Sequence, residues 1–211
     1  MPTIDSVRHY YPVDDAVHGF EHVLRVYRMA ERLAHAVGSD IELVSAAALR
    51  HDAAPEQEDV GEREIHQHTS ADLAARVLHE EGWAEERIAA VQHCIRSHRF
   101  RDSTELPQTL EAQVLFDADK LDAIGAIGVA RAIGYAAQAG QPAWIQPSAH
   151  FLQTGLLEPG EAHTAYHEYL FKLVKLKERL FTAAARQIAA ERHKVMEAFF
   201  SRLAAEMQGE A

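Results

Sequence analysis

The chain has 211 residues, 47% of them apolar and 25% charged, a length and composition that bury a substantial core. Its 11 glycines and 7 prolines are too few for a disordered or fibrous chain. With 21 Lys and Arg against 32 Asp and Glu, the formal charge of −11 repels nucleic-acid polymers and anionic membranes, leaving room for a small anionic substrate if a cation sits in its site.

The opening Met1-Pro2-Thr3-Ile4-Asp5 has neither a basic stretch nor an apolar run, and no apolar stretch approaches ~20 residues. A cytoplasmic chain is expected. Val17, Phe20, Val23, Leu24, Tyr27, Ala30, Leu33, Ala34 and Val37 then recur at helical spacing, and Gly38 stands where a helix stops. Ser39 with Glu42 reads as a capping box for a helix over Asp40 to about Asp52. That helix is apolar on most sides, so it should be central and buried, with Pro55 beyond its end. An acidic loop, Glu56–Glu64, follows. Thr69 or Ser70 can cap a helix running to Leu78, closed by Gly82. The next helix, Ala84–Ser97, holds the single cysteine, Cys94, which excludes an intrachain disulfide.

A polar loop, Arg99–Pro107, leads into a helix over Thr109 to about Ile124. Gly125 and Gly128 then punctuate an Ala-rich segment ending near Gly140. Residues 141–164 carry Pro142, Pro147 and Pro159 and read as an irregular excursion, offering a substrate pocket wall or a homodimer contact. Amphipathic stretches Ala165–Leu180 and Thr182–Met207 close the chain. The expectation is all-α: one domain with its core at about 15–140 and a C-terminal helical extension over 165–207.

Three places carry chemistry. His51-Asp52 ends the buried helix, where a charge is costly unless paired or bound to a metal. Neighbouring residues on a helix diverge by about 100°, but at a helix end both side chains can turn to one ion. His18 and His22, four residues apart, project from one face of the preceding helix, which a short Gly38-Ser39 link forces to lie beside the dyad. Finally, Asp117, Asp119, Lys120 and Asp122 are embedded between apolar flanks, where acids usually find a cation or a Lys/Arg partner.

The order H…HD…D resembles the HD-domain superfamily of metal-dependent phosphohydrolases. His18-Gly19-Phe20-Glu21-His22-Val23-Leu24-Arg25-Val26 resembles the H-x-x-x-H-x-x-R-V opening of a bacterial subfamily that includes nucleoside triphosphate pyrophosphohydrolases. Ile95-Arg96-Ser97-His98-Arg99-Phe100 and the run from Asp117 to Arg131 (DADKLDAIGAIGVAR) are similar to its later motifs, and Ala189–Phe200 extends the likeness over nearly the whole chain. Many relatives have His-Asp where this chain has His18-Gly19.

The resemblance implies that His22, His51 and Asp52 are metal ligands. The Ala118-Asp119-Lys120-Leu121 pattern makes Asp119 the last one, while a helical wheel puts Asp117 on the apolar face and leaves it in contention. One divalent ion, of Mn, Mg, Fe, Ni or Zn, would then serve water attack on a phosphorylated substrate, a nucleotide being expected. Asp52 and Glu56 are the catalytic candidates, Glu56 as the group that orients water. His18, Arg25, His68, His98, Asp117 and Lys120 are candidates to hold substrate or to support the ligands.

His66, beside His68 at the next helix start, could likewise orient substrate or join a second metal, and Arg99 is a further candidate to hold phosphates, though its side chain reads more readily as a surface cation. Two other readings stand beside hydrolysis: a di-iron oxygenase drawing on His18, His66 and His68, and a non-catalytic nucleotide sensor. Helix spacing does not identify the substrate, because pocket shape decides it.

Overall fold

The computed structural model describes residues 3–11, 19–53, 66–99 and 105–210, and within them all regular secondary structure is helical. Two compact units emerge: Met1–Asp119 with Leu180–Ala185, and Lys120–Arg179 with Arg186–Ala211.

In the first unit, a short α1 (Ile4–Val7) and a 3₁₀ turn, Arg8–Tyr10, precede α2 (Phe20–Val37). On α2, Phe20, His22, Val23, Val26, Ala30, Leu33 and Ala34 are buried at helical spacing. Each large apolar side chain taken from water contributes about 1.5–3 kcal/mol. Gly38, at φ 74°, ends α2 in the left-handed region that glycine enters without a Cβ clash, and its N–H reaches Ala34 O at 2.9 Å.

Helix α3 (Ile41–Ala48) starts one residue later than the sequence suggests. Asp40, not Ser39, is its cap, accepting from the Leu43 N–H at 3.0 Å. Arg87 also grips the Asp40 carboxylate, at 2.7 Å, holding it at the helix start. Regular α-helix ends at Ala48, and tighter turns carry the chain through the dyad, with Arg50 N–H to Ala47 O at 3.1 Å and Ala53 N–H to Arg50 O at 3.2 Å. Buried Arg50 anchors this exit to Glu81 at 2.8 Å. Tyr11, buried with Val7, Phe20, Val23, Leu49 and Ala53, donates to Leu49 O at 2.8 Å.

Helices α4 (His66–Glu80) and α5 (Glu85–Ser97) form an antiparallel pair around Gly82; α2 packs on α3, and α3 on α5. Helix α4 opens at His66, three to four residues earlier than Thr69 or Ser70 would place it, so both sit inside the helix. Helix α6 (Leu110–Asp122) supplies residues up to Asp119 to this unit. The acidic loop from Glu56 to Glu64 and residues 100–104 lie outside the described residues.

In the second unit α7 (Gly125–Gln138) packs against α9 (Ala165–Phe171). The Pro-containing excursion holds a short helix, α8 (Ala149–Thr154), capped by Ser148 and stopped by Gly155. Gly155 is required twice over: its φ is 75°, and a Cβ there would stand 2.6 Å from the Phe171 ring. The expected amphipathic helix over Ala165–Leu180 breaks after Phe171 into a 3₁₀ stretch, Leu173–Arg179. The last helix, α10 (Ala183–Gln208), buries Met196 and Phe200, and Tyr169 stacks on Phe200 at 4.4 Å.

Candidate metal centre

Four elements of the first unit bring four histidines around one carboxylate. His22 comes from the first turn of α2, His51 and Asp52 from the turns after α3, His66 from the first residue of α4, and His98 from the end of α5. The oxygens of Asp52 divide between them. Oδ2 faces His51 Nε2 at 3.4 Å and His22 Nε2 at 3.6 Å. Oδ1 faces His66 Nε2 at 3.2 Å and His98 Nε2 at 3.5 Å. His22 Nε2 also stands 3.3 Å from His51 Nε2 and 3.5 Å from Asp119 Oδ1.

The backbone sets the tautomers. His51 Nδ1–H donates to Ala48 O at 2.8 Å and His98 Nδ1–H donates to Ile95 O. A ring in its neutral form thus spends its proton on a carbonyl and turns the Nε2 lone pair to the carboxylate. Complete burial pushes the His51 pKa down to about 4, with Asp52 opposing, so the ring is neutral near pH 7. For Asp52, burial alone would raise the pKa, but the surrounding imidazoles, His51 first and then His22, His66 and His98, outweigh it and hold the carboxyl well below its usual range. Lone pairs facing an ionised carboxylate at 3.4–3.5 Å repel unless a cation lies between them.

The donor set fits one. Ligand atoms of His22, His51 and Asp119 lie within 4.8 Å of one another, as do those of His51, Asp52 and His98. Donors bound at about 2.0–2.2 Å to a single ion stand roughly 3–4 Å apart, so small side-chain shifts close either set. Imidazole with carboxylate suits Zn, Mn, Fe or Ni.

The two contending acids separate cleanly. Asp119 faces His22. Asp117 is wholly buried, as its place on the apolar face of the wheel indicated, yet it caps the start of α10. Its carboxylate accepts from the Phe181 and Thr182 N–H groups at 2.8 Å and the Thr182 hydroxyl at 2.7 Å.

Of the other expected residues, Arg25 is half-buried one turn beyond His22, His98 joins the cluster, and Lys120 is buried in the second unit. His68 is exposed on α4 and is not brought to the cluster. His18 and Glu56 lie outside the described residues. Of the two histidines at this helix start, His66 is the one brought to the cluster. Residues two apart on a helix point about 200° apart, so once α4 opens at His66 only one of the pair can face inward. Arg99, read as a surface cation, is instead half-buried, donating from Nη1 to Gln67 Oε1 at 3.0 Å.

The HD domain model matches residues 19–124, which span the cluster from His22 to Asp119. This chain belongs to the HD domain family. The protein YpgQ of Bacillus subtilis strain 168 is 30% identical over 199 residues, covering 91% of this chain and 85% of YpgQ. The crystal structure of YpgQ in complex with ADP aligns with a TM-score of 0.74 at 27% identity, covering 99% of this chain and 100% of that one. An HD-superfamily hydrolase from Bacillus thuringiensis aligns at a TM-score of 0.71 and 29% identity, covering 97% of this chain and 94% of that one. No described helix of this HD chain is long and apolar enough to cross a membrane.

Proposed function

We propose that this chain is a metal-dependent phosphohydrolase that cleaves a phosphate ester or phosphoanhydride bond of a nucleotide. The observation that carries the reading is a pair of imidazoles, His51 and His98, whose Nδ1 protons are committed to Ala48 O and Ile95 O and whose Nε2 atoms face Asp52. Histidine nitrogens and carboxylates converging within ligand distance of one another suit a cation, and kinship with HD hydrolases supports phosphoryl chemistry. ADP in the YpgQ crystal supports a nucleotide.

In this reading His22, His51, Asp52 and Asp119 hold the ion. When bound, it supplies Lewis acidity toward phosphoryl oxygens and water of lowered pKa. The carbonyls of Ala48 and Ile95 keep His51 and His98 in the ligand-ready tautomer, and buried Arg50, tied to Glu81, holds the turn that presents the dyad. Glu56, four residues past Asp52, is assigned to orient the attacking water and take its proton. Arg25 and Lys120 are assigned to phosphate oxygens.

The test is a screen of nucleotides and phosphate esters with Mn²⁺, Mg²⁺, Co²⁺, Ni²⁺ and Zn²⁺, comparing wild type with Asp52→Ala. Release of phosphate or pyrophosphate by the wild type and its loss in the variant support the proposal; equal activity in the two would overturn it. A second reading, two ions sharing Asp52, draws on the division of its oxygens between His22/His51 and His66/His98. Metal content of anaerobically purified protein separates the two readings, and two irons per chain would favour oxygen chemistry over hydrolysis.

A further inference from the structure

Val7, Tyr11, Phe20, Val23, Leu49 and Ala53 form one buried apolar cluster, and three of the candidate ligands are threaded through it. Phe20 and Val23 bracket His22 on α2, while Leu49 and Ala53 bracket the His51-Asp52 turn. The segment that carries Val7 and Tyr11 thus packs against both ligand-bearing elements at once. This turn is also where α3 ends and leaves carbonyls in need of donors. Arg50 Nη1 reaches Ala46 O at 3.4 Å and the Arg50 N–H reaches Ala47 O at 3.1 Å. His51 Nδ1 reaches Ala48 O at 2.8 Å and the Ala53 N–H reaches Arg50 O at 3.2 Å. Each of these donors lies within four residues of its acceptor, so the four bonds can swing with the turn as a unit. Leu49 O is served from a distance: the Tyr11 hydroxyl, 38 positions back, donates to it at 2.8 Å inside the cluster. That bond fastens the turn to a different part of the first unit, and a buried carbonyl stripped of its donor must turn toward another.

We propose that Tyr11 is a positioning residue of the metal centre. Its hydroxyl, through Leu49 O, sets the turn that presents His51 and Asp52, and its ring, 5.6 Å from that of Phe20, holds this turn against the start of α2 that presents His22. Two elements deliver these ligands, so their spacing is only as well defined as the contact between the elements. A side chain that spans the contact acts on metal affinity without touching the ion. The inference rests on the reading of His22, His51 and Asp52 as ligands, but the fastening of the turn can be measured with no metal present.

The experiment compares two variants. Tyr11→Phe keeps the ring and removes only the hydroxyl. Val7→Ala is the control: Val7 is wholly buried in the same cluster, but its side chain has no group to bond the turn. Both are expected to lower the melting temperature. Mn²⁺ affinity is measured by competition with a fluorescent chelator, and amide exchange at Arg50 and Ala53 is followed in the metal-free protein, at a temperature where both variants are folded. Tyr11→Phe is expected to weaken Mn²⁺ binding roughly tenfold. It should also speed exchange at the two amides about tenfold beyond what its change in global stability accounts for. Val7→Ala is expected to stay within about twofold of wild type on both readouts. Were Tyr11 merely a core residue, the two variants would lose melting temperature and move together on both readouts. That result overturns the proposal, as does wild-type Mn²⁺ affinity in Tyr11→Phe. If the wild type binds Mn²⁺ and both variants match it, the role of Tyr11 falls and the metal centre stands. If the wild type binds no Mn²⁺ while Tyr11→Phe alone loosens the turn, the ligand reading falls and the fastening of the turn by Tyr11 stands.

Discussion

Asp52 in the first unit and Glu161 in the second are both carboxylates set against histidine, and their surroundings could hardly differ more. Glu161 receives protons from every side: the Ser148 N–H at 2.7 Å, the Ser148 hydroxyl at 2.8 Å, the Glu158 N–H at 2.8 Å and His167 Nε2 at 3.1 Å. Thr164 binds the other His167 nitrogen at 2.7 Å, so this network ties the Pro-containing excursion to the start of α9 with its hydrogen-bonding capacity used inside the protein. Asp52 meets imidazole edges, and at least His51 and His98 turn a lone pair toward it. His66 Nδ1 is also buried without a hydrogen-bond partner. A carboxylate closed by donors is a knot in the fold; one ringed by acceptors awaits a cation.

The sharpest way to break this contrast is to remove each carboxylate. Asp52→Ala should lower phosphohydrolysis by roughly a thousandfold or more while the metal-free protein melts close to wild type, since His51 and His98 keep their Nδ1 bonds to Ala48 O and Ile95 O. Glu161→Ala should do the reverse, lowering the melting temperature with metal binding intact. Calorimetry with and without chelator checks both. In wild type, chelation should remove the increment RT ln(1 + [L]/Kd), about 2.7 kcal/mol at a hundredfold excess over Kd, and in Asp52→Ala it should remove almost nothing.

Asp119 and Asp117 repeat the contrast two residues apart on α6. Asp119→Asn should weaken Mn²⁺ binding by roughly tenfold or more, read by titration against a fluorescent chelator. Asp117→Ala should keep metal affinity and cost about 1–3 kcal/mol of stability in urea unfolding, through loss of a buried helix cap.

Acid sharpens the comparison further. Backbone N–H donors first of all, from Glu158 and Ser148, hold the Glu161 carboxyl at about 2, below its ordinary 4.5. A depressed carboxylate stabilises the fold above the unfolded value and loses that contribution as protons bind, so it should fade between about pH 4.5 and pH 2. Amide hydrogen exchange at Ser148 and Phe151 should rise over that window in wild type and be fast throughout in Glu161→Gln. The smallest effect is expected at His68. His68→Ala, exposed on α4, should leave kcat/KM within about twofold, whereas His66→Ala should lower it by at least tenfold.

Much of this molecule was legible in the order of its residues. Helical periodicity gave α2, α5 and α10 their extents to within a few residues, because each buries one stripe. The ligand candidates His22, His51, Asp52 and Asp119 could be named because motif order and embedded charge mark them without coordinates. The boundaries that failed did so where side chains outside the window compete. Arg87, forty-seven residues from Asp40, settles which residue caps α3. The excursion conceals α8, a helix too short for periodicity to register.

What the sequence by itself determined is an all-α chain of the HD family carrying the residue types of a metal centre. Tertiary structure decided the tautomers of His51 and His98, the inward turn of His66, and the split of two near-identical acids into a ligand candidate and a helix cap. The reason is physical: periodicity reports which face of a helix is buried, but not what waits on the other side of the contact. Asp117 meets two N–H groups and a hydroxyl from residues more than sixty positions away, and Asp119 meets an imidazole almost a hundred positions back. Only folding brings those partners within reach.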